Sequence, residues 1–195
     1  DARADAEAFR VAGIGEFDVF DFERGARRPD GAAVKVAFSL AFARDEQADA
    51  AFFTCQQHYP ENFWNPAFQV HANTSDGIVA VVLVAERPEG HRAFLSSFVG
   101  ERAVTATSSG ITIATPRGEI RVMDRMAFVS HFGVEPPDTS EGTRLAAIQF
   151  AVRDLPVAVV TLQKADIAEG VSFRMGRIVV APTVAMKTTI IFEQR

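Results

Sequence analysis

Residues 78–88 read IVAVVLVAERP and residues 145–156 read LAAIQFAVRDLP. Each is an apolar run of strand length, rich in Val, Ile and Ala, that ends at a charged corner followed by a proline. After the first corner comes EGHRAFLSSFVG, a helical pattern, and then three short strand-like runs ending near Asp124. After the second comes VAVVTLQKAD and three more runs ending at Phe192. Each copy is therefore βαβββ. Aligning Arg87 with Asp154 superposes the two strand-to-helix corners at an offset of 67 residues. A repeated unit that cannot close its own core must pack on its neighbour. The reading predicts an α+β fold in which tandem βαβββ modules, residues 78–133 and 144–195, pair into cupped mixed sheets able to hold a ligand.

The first third follows the same pattern with one element fewer. DARADAEAFRVAGI opens on a helical period with Ala4, Ala8, Val11 and Ala12 as its apolar face and Gly13 as its stop. EFDVFDFERG, VKVAFSLAFAR and AAFFTCQQ follow as three Phe- and Val-rich strands. Residues 1–58 thus read as αβββ, a module without its opening strand. Arg24, Arg27 and Arg28 flank Pro29-Asp30-Gly31 and mark a solvated hairpin turn. A linker over 59–77 is punctuated by Pro60, Pro66, Asn73 and Gly77, and VEPPDTSEG separates the two complete modules. A face lined by Phe20, Phe22, Phe38, Phe42 and Phe53 is more apolar surface than a monomer ordinarily leaves open. A second copy in a homodimer, or a further segment of the protein, is expected to cover it.

Composition narrows the function classes. Forty-eight per cent hydrophobic residues, with 17 Phe among 195, can fill a substantial core. A net charge of -5 with no basic stripe argues against a nucleic-acid partner. A single cysteine, Cys55, rules out an intrachain disulfide framework and a cysteine zinc cluster, and a cytoplasmic location is expected. No apolar run reaches the roughly 18 to 20 residues of a membrane span, so no membrane partner is expected. No G-x-S-x-G elbow supports a nucleophile, and the glycines of GIG at 13–15 end a helix where a nucleotide loop would open one.

Tandem βαβββ units whose strand ends in V-x-D-L, here Val152 to Leu155, resemble the vicinal oxygen chelate superfamily of glyoxalases, bleomycin-resistance proteins and dioxygenases. More narrowly, FFTCQQHYPENFWNPAFQVHAN followed by GIVAVVLVAERPEGHRAFLSSFVG resembles the bacterial glyoxalase-like domain proteins. The resemblance covers nearly the whole chain and implies a protein of four modules, of which this chain carries the second without its opening strand, then the third and fourth. It also implies a divalent metal held in the cup by a His on one first strand, a His or Gln on the partner's, and a Glu on a terminal strand. Those first-strand positions fall on Ala147 and Ala80, neither of which binds a metal. Sliding the register by two brings in Gln149 in one module and Val82 in the other, and Glu193 matches the terminal Glu. No metal is expected in this span, although the full-length protein could hold a divalent ion elsewhere.

The remaining chemistry is concentrated in CQQHYPENFW. Loops held by a sheet are favoured places for binding groups. His58 and Glu61, three apart, read as a catalytic acid/base pair or as a local hydrogen bond. Cys55, Gln57, Phe63, Trp64 and His71 read as ligand-binding, with two alternatives open: Cys55 as a small core residue, and Phe63 and Trp64 as a plug in place of a stacking platform. His91, one turn into a helix beginning at Pro88, is expected to face water, and His131 to end a short helix where a cation suits the partial charge. Three functions fit: a glyoxalase-like lyase, isomerase or dioxygenase acting on a small oxygenated molecule, a non-catalytic small-molecule binder of the resistance type, or a structural dimerisation platform.

Overall fold

The computed structural model describes residues 1–100, 104–165 and 167–194. Asp166, at the end of the second helical segment, lies outside the described residues. The chain divides into two units, one of residues 1–46 and 51–70 and the other of residues 47–50 and 71–195.

In the first unit a helix precedes a three-stranded antiparallel sheet: α1 (Ala2–Val11), β1 (Phe20–Arg27), β2 (Ala33–Ala43) and β3 (Phe52–Gln57), in the order β1-β2-β3. The Asp1 side chain accepts from the Ala4 amide at 2.9 Å and caps α1. Its buried residues are Ala2 and Phe9, and Val11 is 75% exposed. The stripe expected from Ala4, Ala8, Val11 and Ala12 is therefore not the one that packs. One phenylalanine buries far more area than several alanines, so Phe9 sets the rotation of the helix. The β1–β2 turn falls on Pro29-Asp30-Gly31 as expected, with the Gly31 amide bonded to the Arg28 carbonyl at 2.9 Å.

The second unit contains both complete βαβββ modules. The first is β4 (Ser75–Val84), a short 3-10 turn (Pro88–His91), α3 (Arg92–Val99), β5 (Val104–Thr107), β6 (Gly110–Thr115) and β7 (Gly118–Met123). After α4 (Arg125–Phe132) the second runs β8 (Arg144–Val152), α5 (Leu155–Gln163), β9 (Val171–Arg174), β10 (Arg177–Val180) and β11 (Thr189–Gln194). In each module the first strand lies parallel to the last, β4 to β7 and β8 to β11. The modules join by antiparallel pairing of β4 with β8, giving one eight-stranded sheet in the order β5-β6-β7-β4-β8-β11-β10-β9. This is the paired βαβββ architecture that the repeat predicts. The Asp154 corner is a true N-cap, its side chain accepting from the Val157 amide at 2.9 Å, whereas the Arg87 corner has no side-chain cap.

Strand alternation divides the sheet into two faces. On one, α5 covers Val152, Ile178, Val180 and Phe192. On the other, Phe128 and Phe132 of α4 are 0% and 1% exposed and pack on Val82, Val84, Met123, Ala147, Val179 and Ile191. The same face carries Ala80, Gln149 and Glu193 by register. Part of the face that would form the cup is thus filled by an aromatic plug from α4. Among the described residues, no helix is long and apolar enough to cross a membrane.

The plug yields a direct expectation. Phe128→Ala removes a fully buried ring and lowers the unfolding free energy of the second unit by about 3–5 kcal/mol. Urea denaturation followed by amide NMR of β4 and β8 measures it, since the single tryptophan, Trp64, reports on the first unit. An unchanged midpoint would mean that α4 does not fill this face.

Candidate functional site

The hairpin register builds a polar cluster in the first unit. Asp21 on β1 pairs with Ser39 on β2, which pairs with Gln56 on β3, and alternation sends all three to the face that carries α1. His58 follows Gln56 by two residues and is tied back to β2 by its amide, which donates to the Ala37 carbonyl at 3.0 Å. Ser39 is fully buried. Its hydroxyl donates to Asp21 Oδ1 and lies 2.7 Å from His58 Nε2. The second Asp21 oxygen pairs with Arg3 of α1 at 3.0 Å.

Counting hydrogens settles the direction of this relay. A hydroxyl has one proton to give. The Ser39 hydrogen bond, then the Arg3 guanidinium and the His58 charge, hold the Asp21 carboxyl below its ordinary range, so it is ionised and can only accept. Ser39 therefore gives its proton to Asp21 and accepts one from His58 Nε2–H. Nδ1 is left as the ring nitrogen for other chemistry. Ser39 is not an activated nucleophile, because its proton goes to the carboxylate and not to the imidazole.

Asp21 and His58 open into a cavity of about 480 Å³ lined also by Phe22, Glu23, Lys35, Ala37, Phe38 and Tyr59. Lys35 Nζ lies 2.5 Å from Glu23, whose hydrogen bond holds the ammonium pKa above its ordinary value, and 6.0 Å from the Tyr59 ring centre. The cavity combines an imidazole, an ammonium and a phenol with two carboxylates, already partnered, over aromatic side chains.

The expected site residues divide on this geometry. His58 lines the cavity, while Glu61, on α2 (Pro60–Phe63), is exposed and does not. No hydrogen bond joins Glu61 to His58 among the described residues, and the hydrogen-bond partners of His58, the Ser39 hydroxyl and the Ala37 carbonyl, both lie on β2. Gln57 accepts from the Trp64 indole at 2.5 Å. Phe63 packs edge-on to both Phe38 and Trp64, at 5.7 and 5.8 Å between ring centres. Cys55 is exposed on β3, and partial desolvation raises its thiol pKa, the opposite of an activated thiolate. His71 is exposed and belongs to the second unit, where its carbonyl accepts from the Thr74 amide at 2.9 Å. Asp21, Ser39, Lys35 and Tyr59 were not singled out by sequence. The signal for two of them lay in the Pro29-Asp30-Gly31 turn, because counting back from it places Asp21 opposite Ser39.

Two other histidines are resolved. His131 lies in the last turn of α4, its Nδ1 3.0 Å from the Ala127 carbonyl. His91 does not face water: it is 4% exposed, with Nε2 2.8 Å from Thr143 Oγ1.

The cup face does not suit a metal. Ala80 and Ala147 are buried at the first-strand positions. Gln149 Oε1 accepts from Arg121 at 3.1 Å, and Glu193 is paired with Arg177 at 3.1 Å. Both candidate oxygen donors are thus occupied by guanidinium groups, which repel a cation. No group of three or more His, Cys, Asp or Glu that could hold a metal occurs among the described residues.

No family model and no curated protein matches the chain. Among solved structures, a hypothetical protein from Staphylococcus aureus is similar over 100% of this chain and 63% of its own, with TM-score 0.61 at 8% identity. That likeness shows a shared fold, and the chain spans under two thirds of that structure's length. A methylmalonyl-CoA epimerase from Mycobacterium tuberculosis aligns over 67% of this chain and 95% of its own, with TM-score 0.45 at 12% identity. A xylose isomerase-like TIM barrel/4-hydroxyphenylpyruvate dioxygenase fusion protein aligns over 100% of this chain and 36% of its own, with TM-score 0.39 at 11% identity.

The relay makes a signed pH prediction. A carboxyl whose folded pKa is depressed contributes stability above its unfolded pKa and loses it as pH falls through the folded value. Asp21 should accordingly titrate below the ordinary carboxylate range by carbon-13 NMR, and Ser39→Ala should move its midpoint up toward that range. An Asp21 midpoint unmoved by Ser39→Ala would contradict the relay.

Proposed function

We propose that this chain is a glyoxalase-like protein of the vicinal oxygen chelate type that binds a small oxygenated organic molecule in the His58 cavity, and that the full protein is an isomerase- or lyase-type enzyme. The observation that carries the reading is the Asp21–Ser39–His58 relay opening into a cavity of about 480 Å³. With Nε2 committed to Ser39, His58 Nδ1 is the nitrogen able to take a proton from carbon next to a carbonyl. The Asp21 charge, delivered through Ser39, stabilises the imidazolium that results. Lys35 and Tyr59 supply donors to the carbonyl oxygen as it gains negative charge.

This chemistry uses no metal in the C-terminal module pair, whose cup-side donors are held by Arg121 and Arg177. We propose that this pair is a packed scaffold. A second reading, a non-catalytic binder of the resistance type, is favoured by the solvent-facing Glu61, which leaves His58 without the carboxylate expected three residues on. A homodimer is also proposed, through the sheet face on which Phe20 and Phe53 are 56% and 47% exposed. A single species of monomer mass at tens of micromolar in sedimentation velocity would count against it.

Calorimetric titration with a panel of small hydroxyketones, keto acids and hydroxy acids tests the site. Saturable binding by at least one class is expected, weakened at least tenfold by His58→Ala. Proton exchange at the carbon next to the carbonyl of a bound compound, seen by NMR in deuterium oxide, would identify the enzyme, and binding without exchange the binder. Absence of saturable binding, or binding indifferent to His58→Ala, would overturn the assignment.

A further inference from the structure

A second polar cavity, of about 190 Å³, lies within the second unit and is lined by Gln47, Glu86, Arg87, His91, Thr139, Ser140, Gly142 and Thr143. Its floor is firmly built. His91 and Thr143 are each 4% exposed, and their imidazole and hydroxyl lie 2.8 Å apart. The Thr143 amide donates to the Gln47 carbonyl, and the Asp49 amide to the Thr143 carbonyl, both at 2.9 Å. Arg144 pairs with Asp49 alongside. Gly142 permits this approach: its φ is +131°, and a β-carbon there would stand 2.9 Å from the Gln47 carbonyl oxygen and 3.0 Å from the Asp49 nitrogen. A side chain at 142 would push residues 47–49 away and open the cavity wall.

The chemistry of the lining chooses a ligand class. Among the described residues the Arg87 guanidinium and the Thr139 hydroxyl have no hydrogen-bond or ion-pair partner, so both keep their donors for a guest. The Ser140 hydroxyl is spent on Asp138 at 2.7 Å. The one carboxylate in the lining, Glu86, is exposed and likewise unpartnered. A hard cation needs several oxygen ligands, and a single carboxylate does not supply them. A planar guanidinium beside an unpartnered hydroxyl suits an oxyanion, and the His91–Thr143 pair, bonded to each other, shapes the floor beneath them. We infer that this cavity is a binding site for a small oxyanion, a carboxylate or a phosphate, held by Arg87 over the His91–Thr143 floor and opposed by Glu86.

The role of Glu86 makes the inference sharper than an unspecific basic patch. Replacing it should tighten binding, whereas replacing Arg87 should remove it. Both residues are exposed, so neither substitution endangers the fold.

Nitrogen-15 amide spectra of the full chain, titrated with sodium acetate and with sodium phosphate against sodium chloride at matched ionic strength, test it. Saturable shifts confined to residues 86–91 and 139–143 are expected with acetate, phosphate or both, and none with chloride. The arm that saturates at the lower concentration distinguishes carboxylate from phosphate. Arg87→Gln should weaken the response at least tenfold, and Glu86→Gln should strengthen it several-fold. Equal shifts with chloride, no saturation by either oxyanion, or affinity unchanged by Arg87→Gln would overturn the inference.

Discussion

The antiparallel pairing of β4 with β8 is the interaction on which the second unit rests. It is the seam at which one βαβββ module becomes the continuation of the other, turning two four-stranded sheets into one of eight. Both seam strands are also held on their other side by a parallel partner, β7 or β11. Strands buried in this way read as near-continuous apolar runs, and IVAVVLVA and LAAIQFAV are such runs. Every position on their cup-side face is therefore committed to packing or to satisfying a buried group. Ala80 and Ala147 are small because the seam is crowded, and α4 occupies the room that a guest would need. The same requirement makes Gln149 conspicuous: its Oε1 is matched by Arg121, but its Nε2 is buried without a partner among the described residues, an arrangement that costs roughly 1–3 kcal/mol.

The first unit works under the opposite constraint. Its three strands leave aromatic side chains open on one face and place a charged relay on the other, where Ser39 is the only member removed from solvent. A buried hydroxyl between an ionised carboxylate and an imidazole has a fixed sense, since only one of the three groups is an obligatory acceptor. That fixed sense distinguishes the arrangement from a Ser-His-Asp triad made of the same residue types. In a triad the imidazole lies between the other two and activates the serine; here the serine lies between them and orients the imidazole.

Much of this was legible in the sequence, for reasons that can be located. The modules declared themselves because apolar runs, a charged corner and a proline recur at one spacing, and Asp154 caps α5 as its position before Leu155-Pro156 suggests. Of the linker residues expected at a site, His58 lines the cavity of the first unit. What surrounds His58 is not legible locally, because strand register brings in Ser39 from 19 residues away and Asp21 from a further 18. Glu61, close in sequence, points to water. The rotation of α1 does not follow the stripe of Ala4, Ala8, Val11 and Ala12, because the single Phe9 buries more area. A polar residue early in a helix commonly faces water, whereas His91 is received in the interior by Thr143, 52 residues away. The filling of the cup by α4 was equally invisible, since Phe128 and Phe132 follow the last strand of a module and belong to no repeat.

The proposed division puts small-molecule binding in the first unit and structural packing in the cup of the second. A crystallographic fragment screen with small carbonyl and carboxylate compounds tests that division most directly. Fragments should accumulate in the first unit against His58 and Tyr59, with none inserted between α4 and the β4–β8 seam. Fragments or a metal ion seated against Gln149 and Glu193, with the His58 cavity empty, would contradict it.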